Sequence, residues 1–193
     1  MSFKQIYTCL AFVLFASISY GQIYDVSATA LPGNEVVTGS NPDPDGVSNG
    51  SADVTGTYDA ATNMLTVSVT YTNLTSDLTM AHLHLNAAGS NGGVIHNFFP
   101  MGGPTPPTGL SGTFSGTFTV LPGNETALLN SGVYINLHTV DFGAGELRDQ
   151  LGLTFVSVVP TMGQWGMIAL GLLLLIIGIV SIRQRQGVLL ARA

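Results

Sequence analysis

The sequence predicts an all-β domain, a single immunoglobulin-like or Greek-key β-sandwich of about eight strands, followed by one C-terminal transmembrane helix. Three observations lead there. Between Ile23 and Val158, apolar and polar residues alternate with a period of two, the pattern of strands that bury one face. The same stretch holds 18 Gly and 18 Thr, and clusters of Gly, Asn, Asp and Pro break the alternation into short runs. Trp165 to Ile182 is a run of eighteen uncharged, mostly apolar residues, enough for one helix across a bilayer.

The first element is an export signal. Lys4 precedes Ile6 to Ile18, which is apolar apart from Thr8 and Ser17, and Ser19 and Gly21 are small residues at −3 and −1 of a cut after Gly21. That is the build of a secretory signal peptide over residues 1–21. The single cysteine, Cys9, lies inside it without a lipobox, so the mature chain is expected to have neither a disulfide nor a thiol nucleophile.

Strands are expected at 23–31, 51–58, 64–71, 79–86, 93–99, 112–120, 133–139 and 147–157. In 64–71, Leu65, Val67, Val69 and Tyr71 share one face. Leu-Pro-Gly-Asn-Glu occurs at Leu31–Glu35 and again at Leu121–Glu125. Each copy reads as a turn after a strand, with Pro-Gly making the bend. One helical turn is expected over Glu125–Asn130, with Asn124 as its N-cap. Thr38–Asn49 and the Gly/Pro-rich Phe99–Ser111 read as long loops. The β domain is therefore assigned to 22–158 and a C-terminal segment to 159–193.

Charge separates these parts. All 11 acidic residues lie between Asp25 and Asp149, accompanied by one basic residue, Arg148; the other four bases are Lys4, Arg183, Arg185 and Arg192. The body from Ile23 to Val158 thus carries −10, against −6 for the whole chain. An acidic body excludes nucleic acid as a partner, because nothing in it would neutralise phosphates. The late arginines follow the apolar helix and favour a cytoplasmic C-terminus, with Trp165 at the other interface.

The candidate chemistry is in four histidines, His82, His84, His96 and His138. His82 and His84 are two apart on one strand and share a face, opposite Ala81, Leu83 and Leu85. In 133–139 the inward residues are Val133, Ile135 and Leu137, which leaves Tyr134, Asn136 and His138 facing out. If the two strands are neighbours, three imidazoles gather on one outer face. Neutral imidazole is a ligand for zinc or copper; the alternative is a set of hydrogen-bonded histidines that fix strand ends. Arg148 is expected to bridge carboxylates, tying Glu146, Asp141 or Asp149 to a strand end. Asn41, Asp43, Asp45 and Gly46 imitate the first half of a calcium loop. However, Ala52 stands where the closing Glu belongs and two prolines interrupt, so a solvated Asx/Pro turn is expected in place of calcium. No nucleophile–His–acid array, P-loop or dinucleotide fingerprint is present, and no catalytic residues are assigned.

Three resemblances sharpen this. Val159-Pro160-Thr161-Met162-Gly163-Gln164-Trp165-Gly166, followed by the helix and the arginines, resembles the IPTLxxWG C-terminal sorting signal of bacterial surface proteins; Pro160, Thr161, Trp165 and Gly166 match, while Val159 and Met162 are conservative departures. It implies a cell-surface protein held in the membrane before processing, and a membrane protease of the exosortase type as a partner. Ala30-Leu31-Pro32-Gly33-Asn34-Glu35-Val36, Ala81-His82-Leu83-His84 with Gly92-Gly93-Val94, and Gly132 to Thr139 followed by Gly145-Glu146-Leu147-Arg148-Asp149-Gln150-Leu151 together resemble the CHRD domain, named after chordin. That resemblance covers about 25–153 and implies an extracellular β-rich binding or structural module. The His-x-His, the later His and a following Arg also resemble copper–zinc superoxide dismutase. On that likeness His82, His84 and His138 would hold a metal, His96 would be a fourth ligand and Arg148 would guide an anion.

Overall fold

A computed structural model describes residues 22–156 and 162–190. These fall into two compact units, on either side of the boundary between Ser157 and Val158. The proposed signal peptide, and Val159, Pro160 and Thr161 of the sorting motif, lie outside the described residues.

The first unit is a sandwich of two antiparallel sheets. Strands β1 (Ile23–Ala30), β2 (Ser51–Asp59), β3 (Met64–Thr72), β6 (Gly112–Thr119) and β9 (Gly152–Val156) form a five-stranded sheet in the order β6-β3-β2-β1-β9. Strands β4 (Leu78–Leu85), β5 (Gly93–Asn97), β7 (Val133–Thr139) and β8 (Leu147–Gln150) form a four-stranded sheet in the order β5-β4-β7-β8. The period-two residues meet between the sheets: Val26, Val54, Tyr58, Leu65, Val67, Val69 and Tyr71 from one, Ala81, Leu83, Val133, Ile135, Leu137 and Leu147 from the other, all nearly inaccessible to water. Apolar burial of this extent is the main driving force for such a fold. The outward face of the larger sheet is lined with hydroxyls that pair across strands, Ser51 with Thr72 at 3.2 Å and Thr66 with Thr117 at 3.1 Å.

Nine strands replace the expected eight because 147–157 is not one strand. It breaks at Leu151, which is fully buried, and the chain passes from β8 in one sheet to β9 in the other. The two sheets are also stitched at this corner. Leu31, just beyond β1, and Arg148 exchange both backbone hydrogen bonds, at 3.1 and 3.3 Å.

The helical turn also begins earlier than expected. Helix α1 spans Pro122–Leu129, with Leu121 as N-cap and no side-chain cap, so Asn124 is inside it. Pro122 has the fixed φ that suits a first helical position and no N–H to leave unpaired there. The two Leu-Pro-Gly-Asn-Glu copies diverge accordingly: the first forms a 3-10 turn at Pro32–Asn34, the second the first turn of α1. In the 38–49 loop, Asp43 Oδ1 accepts from Asp45 N at 3.0 Å, which makes the expected Asx turn.

The second unit is helix α2, Met162–Leu190. Its window Gly166–Arg183 is long and apolar enough to cross a membrane, and none of it is buried against protein. Eighteen residues at 1.5 Å each span about 27 Å.

Candidate metal centre

β4 and β7 are neighbours, paired Met80↔His138, His82↔Asn136 and His84↔Tyr134. Directly paired residues of an antiparallel ladder point to the same side. Met80, His82 and His84 of β4 therefore share the outer face of the small sheet with His138, Asn136 and Tyr134 of β7. That face is outward from the core but not open to solvent: every residue of β7 is buried. Loops cover it, held by polar contacts. Asn91 Nδ2 donates to Val36 O at 2.8 Å, and Gly92 N donates to the Tyr134 hydroxyl at 3.0 Å.

Under this cover His82, His84 and His138 each offer a nitrogen, and the three nitrogens lie within 4.8 Å of one another. Each ring is about nine-tenths or more buried. Their partners fix the tautomers. His84 Nδ1 lies 3.0 Å from Gly92 O, and His138 Nδ1 lies 3.1 Å from Gly143 O. A carbonyl oxygen only accepts, so both Nδ1 atoms carry hydrogen and both Nε2 atoms of the neutral rings present lone pairs. His84 Nε2 is buried without a partner. His138 Nε2 is 3.2 Å from His82 Nδ1. Two nitrogens bound to one tetrahedral zinc lie about 3.4 Å apart, given Zn–N bonds of about 2.0–2.1 Å.

Gly92 can bring its carbonyl to His84 only because it lacks a side chain. A Cβ there would collide with the Leu85 carbonyl. The backbone carbonyl behind the His84 ring and that behind the His138 ring are the usual arrangement for holding a ligand imidazole in one tautomer and orientation. Electrostatics agree with neutral rings. Burial lowers the pKa of all three, aided at His82 and His138 by neighbouring imidazoles, and at His138 it falls to about 4. A buried group must be uncharged or paired, and an uncharged imidazole is the metal-binding form.

His96 does not join them. It pairs with Leu83, a core residue, so it faces the opposite side of the sheet from His82 and His84. Its ring packs on Phe118 at 3.4 Å between centroids and edge-on to Phe98 at 5.9 Å. The expectation of a fourth imidazole ligand fails on strand parity.

Among the described residues, Arg148 bridges no carboxylate. Its guanidinium donates to Asn91 Oδ1 at 2.9 Å and to Ser90 O at 2.7 Å, and lies 3.5 Å over the Tyr134 ring. His84 stacks on Tyr134 as well, with centroids 4.8 Å apart and rings 5° from parallel. Arg148 thus clamps the Ser90–Gly92 segment that holds His84, and at 1 % exposure it is not displayed to an incoming anion. The cleft it borders is flanked by Glu35 and Asp149.

Glu146 is fully buried and takes four hydrogen bonds: Ser48 Oγ at 2.7 Å, Thr75 N and Thr75 Oγ1 each at 2.9 Å, and Thr139 Oγ1 at 2.7 Å. It ties three loops to the end of β7. Sequence reasoning missed Glu35. Its carboxyl is largely buried, and burial pushes its pKa up to about 7 against the opposing pull of Arg148. Oε2 accepts a long bond from Asn136 Nδ2 at 3.4 Å, while Oε1 and Asn136 Oδ1 are both buried without partners. Both crowd the space beside Gly145, where φ is +141° and a Cβ would sit 2.6 Å from Glu35 Oε1 and 2.5 Å from Asn136 Oδ1. A proton on Glu35 gives that orphan pair a donor. The signal available in sequence was only the recurrence of Glu at the end of both Leu-Pro-Gly-Asn-Glu copies, which says nothing of burial.

Fold and site together define an antiparallel β-sandwich module that carries a covered histidine triad on the outer face of its smaller sheet. The CHRD domain family matches residues 29–151, and the chain belongs to that family. Comparison with curated proteins finds no match, and comparison with solved structures finds none.

Proposed function

We propose that this chain is an exported, membrane-tethered CHRD module that binds one transition-metal ion, zinc or copper, through His82, His84 and His138. The observation that carries the reading is the unpartnered, buried Nε2 of His84, which shares a small space with two other imidazole nitrogens. A merely structural histidine uses both nitrogens or leaves one in water. A cation here would take the place of the His82–His138 hydrogen bond, with His82 moving its proton to Nε2. Metal analysis of the purified full chain after zinc or copper loading tests this. One ion per chain, lost in His84→Ala, is expected; no stoichiometric metal overturns the reading.

Export and tethering rest on the sequence of residues 1–21 and on the apolar window of α2. The chain would lie outside the cell with its C-terminus cytoplasmic, and an exosortase-type protease would act near Pro160-Thr161. Mass spectrometry of the membrane-associated protein from a bacterial host is expected to find a chain beginning at Gln22. A chain retaining Met1 in the soluble cytoplasmic fraction overturns this part alone.

A further inference from the structure

Beside the triad, at the open end of the same strand face, stands a side chain that the three-histidine reading leaves unused. Met80 pairs with His138 and therefore points to the same side as His82 and His84. Directly opposed residues have Cβ atoms roughly 4.5–5.5 Å apart. Met80 is 40 % exposed, although the three imidazoles beyond it are buried. A β-bulge between Leu78 and Met80 sets this register, and Thr79 Oγ1 pins it by donating to His138 O at 3.0 Å. Bulges of this kind commonly re-aim a side chain beside a site. The strand thus reads Met80-x-His82-x-His84, three donors on one face at a period of two.

We propose that the ion held here is monovalent copper and that the Met80 thioether is its fourth donor. The inference rests on the metal-binding reading above and adds to it the fourth ligand and the identity of the metal. Three neutral imidazoles and a thioether make an uncharged donor set, and among the described residues no carboxylate joins the cluster. Soft thioether donors select Cu(I), whereas Zn(II) is content with imidazole, carboxylate or water. A carboxylate-free, largely covered site also stabilises a single positive charge better than a double one, since the cost of an uncompensated charge in a low-dielectric region rises with its magnitude. Methionine has three rotatable bonds, so its sulfur can close over the ion from the rim without moving the strand.

Met80→Leu keeps the volume and apolarity and removes only the sulfur, so a packing role for Met80 survives it. The test uses the full chain in detergent, without oxygen, competing against a chromophoric Cu(I) chelator, with Zn(II) affinity measured in parallel. Met80→Leu is expected to lose about tenfold or more in Cu(I) affinity and to leave Zn(II) affinity unchanged. X-ray absorption of the Cu(I)-loaded wild type is expected to show one sulfur among nitrogen neighbours. Equal Cu(I) affinities for the two proteins, or a first shell of nitrogen and oxygen alone, overturns the proposal. If the wild type holds zinc and not Cu(I), this inference falls while the triad reading stands. If it holds neither, both fall.

Discussion

His82 and His138 are 56 positions apart in the chain, yet Nδ1 of one lies 3.2 Å from Nε2 of the other. The contact is diagonal across the β4–β7 ladder, where His82 is paired with Asn136 and His138 with Met80. Neither residue is given a counterion. The Gly143 carbonyl holds the His138 proton on Nδ1, so His138 Nε2 accepts from His82 Nδ1 and the two facing nitrogens stand where a cation could replace that shared proton.

Metal content follows from that geometry. His82→Ala, His84→Ala and His138→Ala should each abolish stoichiometric zinc or copper, measured by elemental analysis after loading and dialysis. His96→Gln should retain it, because His96 faces the core side of the small sheet. Retention in His138→Ala would mean that the ion sits elsewhere.

Glu35 makes stability depend on pH. Its folded pKa, about 7, is above the ordinary value of 4.5 for a glutamate carboxyl. The neutral form is therefore favoured by folding: its contribution is fully present below about 4.5 and is lost as pH rises through about 7. Glu35→Gln keeps an uncharged group of the same shape. Chemical denaturation should find it close to wild type near pH 4 and more stable at pH 8, by a difference on the order of 1–3 kcal/mol. A constant difference at both values would assign the effect to packing and not to the proton.

Arg148→Met should lower stability by about 2–4 kcal/mol. The change removes two hydrogen bonds from a charged donor and leaves Ser90 O and Asn91 Oδ1 to find other partners. The Ser90–Gly92 segment also carries the carbonyl that orients His84. The same variant should therefore bind metal more weakly, by about tenfold or more. Thermal melting and metal competition on one sample separate the two effects, and an unchanged melting curve would contradict the clamp.

Glu146→Gln tests the buried carboxylate. All four of its partners donate, so the NH2 of an amide would face donors either way: Ser48 Oγ and Thr75 N in one orientation, the Thr75 and Thr139 hydroxyls in the other. The expected loss is about 2–3 kcal/mol in denaturant unfolding, with metal binding intact in the folded protein. Wild-type stability would show that the hydroxyls reorient to accept.

Much of the fold was legible because alternation of apolar and polar residues dictates which face of a strand is buried. Leu65, Val67, Val69 and Tyr71 fill the core as their period required. Two failures share one cause: where the chain changes sheet at Leu151 and where His96 turns inward, the deciding factor is which strand lies alongside, and that is not local information. The earlier start of α1 is local, set by the fixed φ of Pro122.

The β-structure of residues 23–156, the long apolar helix after it and the shared face of His82 and His84 were all legible along the chain. These depend on periodicity and hydropathy along the chain. Tertiary structure alone decided that β7 lies beside β4, and so brought His138 to the pair and excluded His96. It also decided that loops close over an outward face, burying His84 Nε2 without a partner. Arg148, the one basic residue of the acidic body, was visible from composition. Its place against Tyr134, clamping the segment that orients His84, arises from strand order and close packing, and neither can be read from spacing.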